Sequence, residues 1–350
     1  MYSPSSVQHD RPLVTILVPS RNEAKFIGPC LDSILANDYP KDRLEIFVIE
    51  GRSTDDTRKI VEGYVARHSH VFLVDNPKMI TPTALNLGIS RAKGEVIIWM
   101  SAHNRYCMNY ISRSVECLHA YNADNVGGII ITEPRNPTLM GRAIVASLSH
   151  ILGVGTSYFR IRRSEPTWVD TVFGGCYKKA VFDRVGLFNE ALVRGQDMEF
   201  NIRLKKAGGK ILLVPDIVSY YAARSDLRSF VKHNWTNGVW AILPFAHSQV
   251  MPVSWRHLVP MVFVLGLAGL AMLAVIWPPG GWVLASVVGA YVVATLAAAF
   301  HIAVREHDAR LLPLMPLIFI ALHLSYGSGS LWGAVKAVSA VGGLAQGGAQ

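Results

Sequence analysis

The sequence predicts an α/β domain with a mostly parallel central sheet, followed by a C-terminal α-helical transmembrane anchor. Three observations lead there. Short apolar runs alternate with helix-like stretches through the first half, those runs are apolar on both faces, and beyond Leu258 long stretches carry no charge. Strands apolar on both sides and separated by single helices belong to a sheet covered by helices on both faces.

The first run is Leu13–Pro19 (LVTILVP), followed by a helix-like Glu23–Ala36. Next come Leu44–Glu50 (LEIFVIE), a helix over Asp55–Ala66, a short strand Val71–Val74, a helix near Pro82–Ala92 and the strand Glu95–Met100. In such sheets ligands sit beyond the carboxyl ends of the strands. Pro19–Glu23, Glu50–Ser53 and Ser101–His103 are therefore expected near one crevice. In the tail, Leu258–Trp277 and Trp282–Val304 have the length of about 20 residues that a bilayer requires. Leu311–Tyr326 is shorter and contains Pro313 and Pro316, so it is kinked or continues through Ser330. The loop Arg305–Arg310 (REHDAR) is basic at both ends, and the positive-inside rule puts it in the cytoplasm. A buried hairpin in a soluble protein is the competing reading, and two charge-free stretches of spanning length argue against it.

The chain has 350 residues, 51% of them hydrophobic, and a net charge of +9 from 34 Lys and Arg against 25 Asp and Glu. That charge suits an anionic membrane surface or phosphorylated ligands. Nucleic acid is excluded as a partner because no lysine-rich tail or aromatic-basic platform accompanies it. Cys30, Cys107, Cys117 and Cys176 have neither CxxC nor metal spacing and are expected as reduced, buried thiols. The polar start and the short Leu13–Val18 run do not read as a signal peptide, so the first domain is expected on the cytoplasmic side.

Val18-Pro19-Ser20-Arg21-Asn22-Glu23 closes the first strand, leaving backbone groups free for a base or ribose and Arg21 able to meet a phosphate. An ordinary strand-to-helix turn would read the same way. Glu50-Gly51-Arg52-Ser53-Thr54-Asp55 ends the second strand, where a carboxylate can accept from a nucleobase N–H or ribose hydroxyl. Thr54 or Asp55 also serves as a helix cap. Gln196-Asp197-Met198-Glu199 opens a helix, where acids favour the dipole in any protein.

Together with Arg21-Asn22-Glu23-Ala24-Lys25, Leu35–Glu45 (LANDYPKDRLE), Asp75-Asn76-Pro77-Lys78, Ala123–Gly128, Trp168–Val172 and Gln196–Asn201, these pieces resemble family 2 glycosyltransferases over residues 12–245. The subgroup resembled is that of bacterial succinoglycan and other exopolysaccharide glucosyltransferases. The resemblance implies a GT-A nucleotide-sugar domain over 1–230, an interfacial amphipathic segment over 231–257 and a transmembrane region of two or three spans over 258–350. It implies an inverting enzyme at the inner membrane, taking a UDP-sugar donor and a lipid-linked saccharide acceptor, and a place in a polysaccharide-synthesis complex. Asp197 falls at the general base, which must reach the acceptor hydroxyl. Pro19, Ser20, Arg21, Glu23, Glu50, Ser53, Ser101, Ala102 and His103 fall at the donor. Gly175, Gln196, Glu199 and Trp235 fall at the acceptor, with Trp235 alternatively lying on the membrane surface.

One departure concerns the metal. Where the family carries Asp-x-Asp, this chain reads Ser101-Ala102-His103. Mn²⁺ or Mg²⁺ would then be held mainly by the diphosphate and His103, a nitrogen ligand that suits Mn²⁺ better than Mg²⁺. Alternatively Arg21, Arg52 or Arg105 replaces the metal, or the site is impaired and the chain is a silent nucleotide-sugar-binding subunit. A second departure is Glu50, where the family has aspartate. The stretch Lys232–Trp240 matches the processivity motif only at Gly238 and Trp240. A small transporter is disfavoured because no span carries an acid-base pair, and a serine hydrolase because no G-x-S-x-G occurs.

Overall fold

The computed structural model describes residues 11–155, 164–246 and 255–347. The chain forms two compact bodies, one of Met1–Ile129, Ser164–Val193 and Arg203–Ser219, the other of Ile130–Arg163, Arg194–Ile202 and Tyr220–Gln350.

The first body is built on β1 (Val14–Ser20), α1 (Ile27–Leu35), β2 (Leu44–Glu50), α2 (Thr57–Arg67), β3 (Val71–Asp75), α3 (Thr81–Arg91) and β4 (Val96–Trp99). The apolar runs form β1 and β2, which are buried along almost their whole length. α1 turns Ile27, Cys30, Leu31 and Ile34 inward, the spacing of a helix lying on a sheet. β1 runs parallel to both β2 and β4, and β2 parallel to β3. The register puts Ser20, Glu50 and Asp75 side by side at the carboxyl ends.

The chain continues through β5 (Asn104–Tyr106), α4 (Tyr110–Ala120), β6 (Asn125–Pro134), α5 (Leu139–Leu148), the single turn α6 (Ile151–Val154), β7 (Thr167–Trp168), β8 (Gly175–Lys178), α7 (Ala180–Val185), α8 (Gln196–Lys206) and β9 (Ile211–Ala223). The strand order is β3-β2-β1-β4-β8-β6-β9-β5, with β7 on β9. This sheet is mixed, not mostly parallel: β8 is antiparallel to both β4 and β6, and β7 to β9. Strands joined by one crossover helix must run parallel. β8 arrives after a long stretch of chain, so nothing forces that direction on it.

Gly175 opens β8 opposite Trp99 with φ +132°. A Cβ there would lie 2.5 Å from Asn125 Oδ1 and 2.7 Å from the Tyr177 ring. A side chain there would collide with its neighbours inside the sheet.

The second body is helical. It holds α9 (Leu227–Ile242), α10 (Val259–Ile276), α11 (Pro279–Arg305) and α12 (Leu314–Gly347) around a core of Ala143, Ile144, Phe230, Ala299, Ile302, Ile318 and Phe319. Trp255–Ile276, Pro279–Arg305 and Leu314–Ser339, of 22, 27 and 26 residues, are long and apolar enough to cross a membrane. At 1.5 Å per residue all three exceed the ~30 Å hydrocarbon thickness. The third is longer than the sequence suggests. Pro316 falls in its first turn, where a missing N–H costs no hydrogen bond. Its glycines and serines, which lower the hydropathy, are there for contact. A Cβ on Gly238 would stand 2.0 Å from the Tyr326 carbonyl oxygen, and one on Gly329 2.1 Å from that of Trp235. Such backbone-to-backbone approach is how helices associate in lipid, where apolar burial supplies no drive. Gly238→Ala is accordingly expected to cost about 2 kcal/mol or more, read as a fall in the thermal midpoint of the detergent-purified chain. An unchanged midpoint would mean that α9 and α12 are not in contact.

The charged loop after α11 is anchored. Asp308 is buried and pairs with Arg310 at 2.9 Å and with Arg142 of α5 at 2.7 Å. The Arg310 hydrogen bond, chiefly, pulls the Asp308 carboxyl down to about 2. Within the second body α9 packs on α12. The expected interfacial stretch 231–257 contains most of α9 and the turn Leu243–Ala246, while its residues 247–254 lie outside the described residues.

Candidate active site

In the first body the loops after β1 and β2 are laced together. The Asn22 N–H donates to Ser53 Oγ at 2.9 Å, and Asn22 Oδ1 accepts from the Thr54 N–H at 2.8 Å. The Glu23 N–H donates to Thr57 Oγ1 at 2.7 Å, the Ala24 N–H to Asp55 Oδ2 at 3.1 Å, and the Gly51 N–H to the Ser20 carbonyl at 2.9 Å. The ordinary turn reading is therefore true as far as it goes: Asn22, Asp55 and Thr57 satisfy the backbone that the helices leave open. More is present than a turn, however. Asn22 and Arg52 hold φ of +55° and +52°, a left-handed conformation that costs a residue with a long side chain such as Arg52 on the order of 1 kcal/mol or more. Ser20 Oγ is buried at the strand end without a hydrogen bond among the described residues. Pro19 is part-exposed beside it, and Arg21 is exposed with its stem against Gly51.

Glu50 is only 1% exposed. Its carboxylate accepts from the Ser53 N–H at 2.6 Å and the Arg52 N–H at 3.2 Å, with Arg58 Nη1 at 3.4 Å. It thus shapes the loop in which it sits. The sequence reading missed Arg58, which reaches Asp75 at 2.6 Å and so ties the ends of β2 and β3. Its place in the first turn of α2 was the available signal, since that turn faces the strand ends.

After β4, Ser101 and His103 sit together, Ser101 Oγ 3.1 Å from His103 Nε2, and His103 Nδ1 lies 3.2 Å from Glu23 Oε1. Ala102 is buried between them. Asn104 was not singled out by sequence, yet it is 1% exposed and neither amide atom of its side chain has a hydrogen-bond partner among the described residues. No three His, Cys, Asp or Glu side chains converge among the described residues, so the protein alone makes no cation cage. One carboxylate (Glu23), one imidazole (His103) and a hydroxyl (Ser101) are a donor set that fits a borderline cation such as Mn²⁺ when a diphosphate supplies the remaining oxygens.

In the second body, Gly195 with φ +74° leads into α8, whose first turn carries Asp197 and Glu199. Burial pushes the Asp197 carboxyl above the ordinary aspartate range, opposed by the Met198 N–H. Glu199 is buried, and Gln196 Oε1 is buried with no hydrogen bond among the described residues. Trp235 belongs to α9, its carbonyl against Gly329 and its ring partly exposed.

A sheet in this strand order, with its polar loops at the carboxyl ends of β1, β2 and β4, is the GT-A class of glycosyltransferase fold. Residues 15–186 match the model of glycosyl transferase family 2. Over 233 residues the chain is 30% identical to the dolichyl N-acetyl-alpha-D-glucosaminyl phosphate 3-beta-D-2,3-diacetamido-2,3-dideoxy-beta-D-glucuronosyltransferase of Methanococcus voltae, covering 64% of this chain and 71% of that one. It is 25% identical over 319 residues to the succinoglycan biosynthesis protein ExoA of Rhizobium meliloti, covering 90% and 92%. The solved mannosyltransferase PcManGT of Pyrobaculum calidifontis, in complex with GDP-Man and Mn²⁺, shares the fold with a TM-score of 0.59 at 21% identity, over 90% of this chain and 87% of that one. The chain belongs to glycosyltransferase family 2, and it is an enzyme of the transferase class.

Proposed function

We propose that this transferase moves a hexose, with inversion, from a UDP-sugar to a polyprenyl-diphosphate-linked saccharide at the cytoplasmic face of the inner membrane. The observation that carries the reading is the set of loops at the carboxyl ends of β1, β2 and β4, where Ser20 and Glu50 stand in register and Ser101–His103 follows. Ser20, Arg21 and the Glu50–Ser53 turn take the nucleotide, with Glu50 holding the turn's backbone in shape. Ser101, His103 and Glu23 lie toward the diphosphate, where Mn²⁺, when bound, offsets the charge of the leaving group. Asp197 accepts the proton of the acceptor hydroxyl as that oxygen bonds to the anomeric carbon and the bond from that carbon to the diphosphate breaks. Glu199 and Gln196 orient the acceptor sugar. The lipid-linked acceptor is supported by three helices of spanning length and by the dolichyl-linked phosphate in the name of the Methanococcus relative. An exopolysaccharide role is supported by the succinoglycan relative.

The test is nucleotide release from a panel of UDP- and GDP-sugars by the detergent-purified chain, with Mn²⁺, Mg²⁺ or EDTA. UDP release from one hexose donor, faster with Mn²⁺, is expected. Release from GDP-sugars alone would overturn the donor, and binding without any release would overturn catalysis at this site.

A further inference from the structure

The second body contains a cavity of roughly 700 Å³ that the transferase reading has not used. Arg194, Gly195 and Met198, at the start of α8 and within one helical turn of Asp197 along the chain, line it. The helices of spanning length also contribute to its walls, with Val259 and Phe263 of α10, Tyr291 of α11 and Leu322 of α12.

Its chemistry is one-sided. Arg194, Arg224 and Arg256 line it, with His233 and His257, and no Asp or Glu does among the described residues. Arg194 Nη1 donates to Asn237 Oδ1 at 2.8 Å, which fixes its direction. Burial, and then the neighbouring Arg224, push the Arg194 guanidinium below its usual pKa. The like charges of Arg194 and Arg224 repel, and an anion bound in the cavity would relieve that repulsion. Guanidinium groups also match phosphate oxygens in bidentate fashion. The remaining walls, among them Ile144, Leu148, Phe230 and Leu322, are apolar. A free nucleotide or sugar has no use for such walls, and a cation is repelled. An anionic head joined to a hydrocarbon chain satisfies both halves. The volume is that of a small-ligand site of about 300–1,000 Å³, which suits a diphosphate and the first isoprene units, the rest of the chain lying in the bilayer.

We propose that this cavity is the seat of the acceptor's lipid end, with Arg194, Arg224 and Arg256 holding its phosphate or diphosphate and the apolar walls its first isoprene units. The inference rests on the lipid-linked acceptor of the preceding section. It explains why the anchor is fused to the catalytic chain: the lipid is gripped within a turn of the base, and the saccharide it carries is delivered to Asp197.

The experiment measures binding of farnesyl diphosphate, inorganic diphosphate and farnesol to the full chain in neutral-lipid nanodiscs, with UDP binding as the control for folding. Farnesyl diphosphate is expected to bind about tenfold or more tighter than either half alone. Arg224→Gln and Arg256→Gln are each expected to weaken it about tenfold while UDP binding stays as in the parent chain. Two variants are used so that one lost to misfolding leaves the other to decide. Equal affinity for farnesyl and inorganic diphosphate would overturn the lipid source in favour of a free phosphate. Affinity unchanged in a variant that binds UDP normally would overturn the location. Sugar transfer to lipid-linked acceptors that continues undiminished in both variants would overturn this inference and leave the proposed function standing. Arginine-dependent lipid binding with transfer only to lipid-free acceptors would overturn the lipid-linked acceptor and with it the cavity's role as the acceptor's seat.

Discussion

Asp197→Asn is expected to lower kcat about 10³-fold while donor KM and the thermal midpoint stay near those of the parent chain. The amide has the shape of the carboxylate and keeps the α8 N-terminal turn, but it cannot take a proton. General-base catalysis contributes about 10²–10⁴-fold, so the loss falls on the chemical step. The pH profile gives a second, independent reading. A base works only when deprotonated, and burial raises the pKa of Asp197 in the folded protein. Activity should therefore be full above that raised value and fall as the pH drops through it, placing the acid limb of kcat/KM above the range of an ordinary aspartate. Measuring initial rates across pH for the parent chain, beside kcat for the variant, checks both. A variant within tenfold of the parent would remove Asp197 from the chemistry.

His103→Ala is expected to have the next largest effect, a fall of about 10–100-fold in donor kcat/KM, with a matching rise in the Mn²⁺ concentration needed for half-maximal rate. The imidazole is the one nitrogen donor where the family sets its second aspartate, and Glu23 at 3.2 Å orients it. Removing the ring leaves Glu23 and the neutral Ser101, a poor cation site. Ser101→Asp should move the same metal titration the other way, because a carboxylate is the stronger ligand for a hard cation. If His103→Ala left the metal dependence unchanged, the cation would not be held there, and basic side chains such as Arg21 or Arg52 would be doing that work.

What was readable in the chain was what local physics decides. β1, β2, β3 and β4 were legible within a residue or two because each is a short run apolar on both faces, and that pattern has one stable home. α1 was placed too early. Residues 23–26 read as helical by composition, but Asn22 turns left-handed and Asp55 and Thr57 take the following N–H groups, so the helix begins at Ile27. The antiparallel half of the sheet was invisible because β5, β7 and β8 have three, two and four residues, too few to show a period, and because the longer β6 and β9 carry no sign in their own pattern of the direction in which they pair. The third spanning helix was cut short because its glycines and serines look like a polar end until α9 is laid against them. At the site, the three loops were legible from strand ends alone. The clasp of Glu50 by its own turn, the burial of Asn104 and the arginine-lined cavity were not, since Arg194, Arg224 and Arg256 are some thirty residues apart in sequence and meet only when the helices pack.

The reaction proposed for this chain is hexosyl transfer from UDP-sugar onto a lipid-linked acceptor at the base Asp197. It is tested most directly by incubating the purified chain with radiolabelled UDP-hexose and polyprenyl-diphosphate-linked saccharide, and counting label in the lipid extract. Label that enters the lipid with the parent chain, leaves it on mild acid hydrolysis of the diphosphate, and is absent with Asp197→Asn is the predicted result. Label confined to free sugar, or equal incorporation by parent and variant, would mean that this chain does not transfer hexose to a lipid-linked acceptor at Asp197.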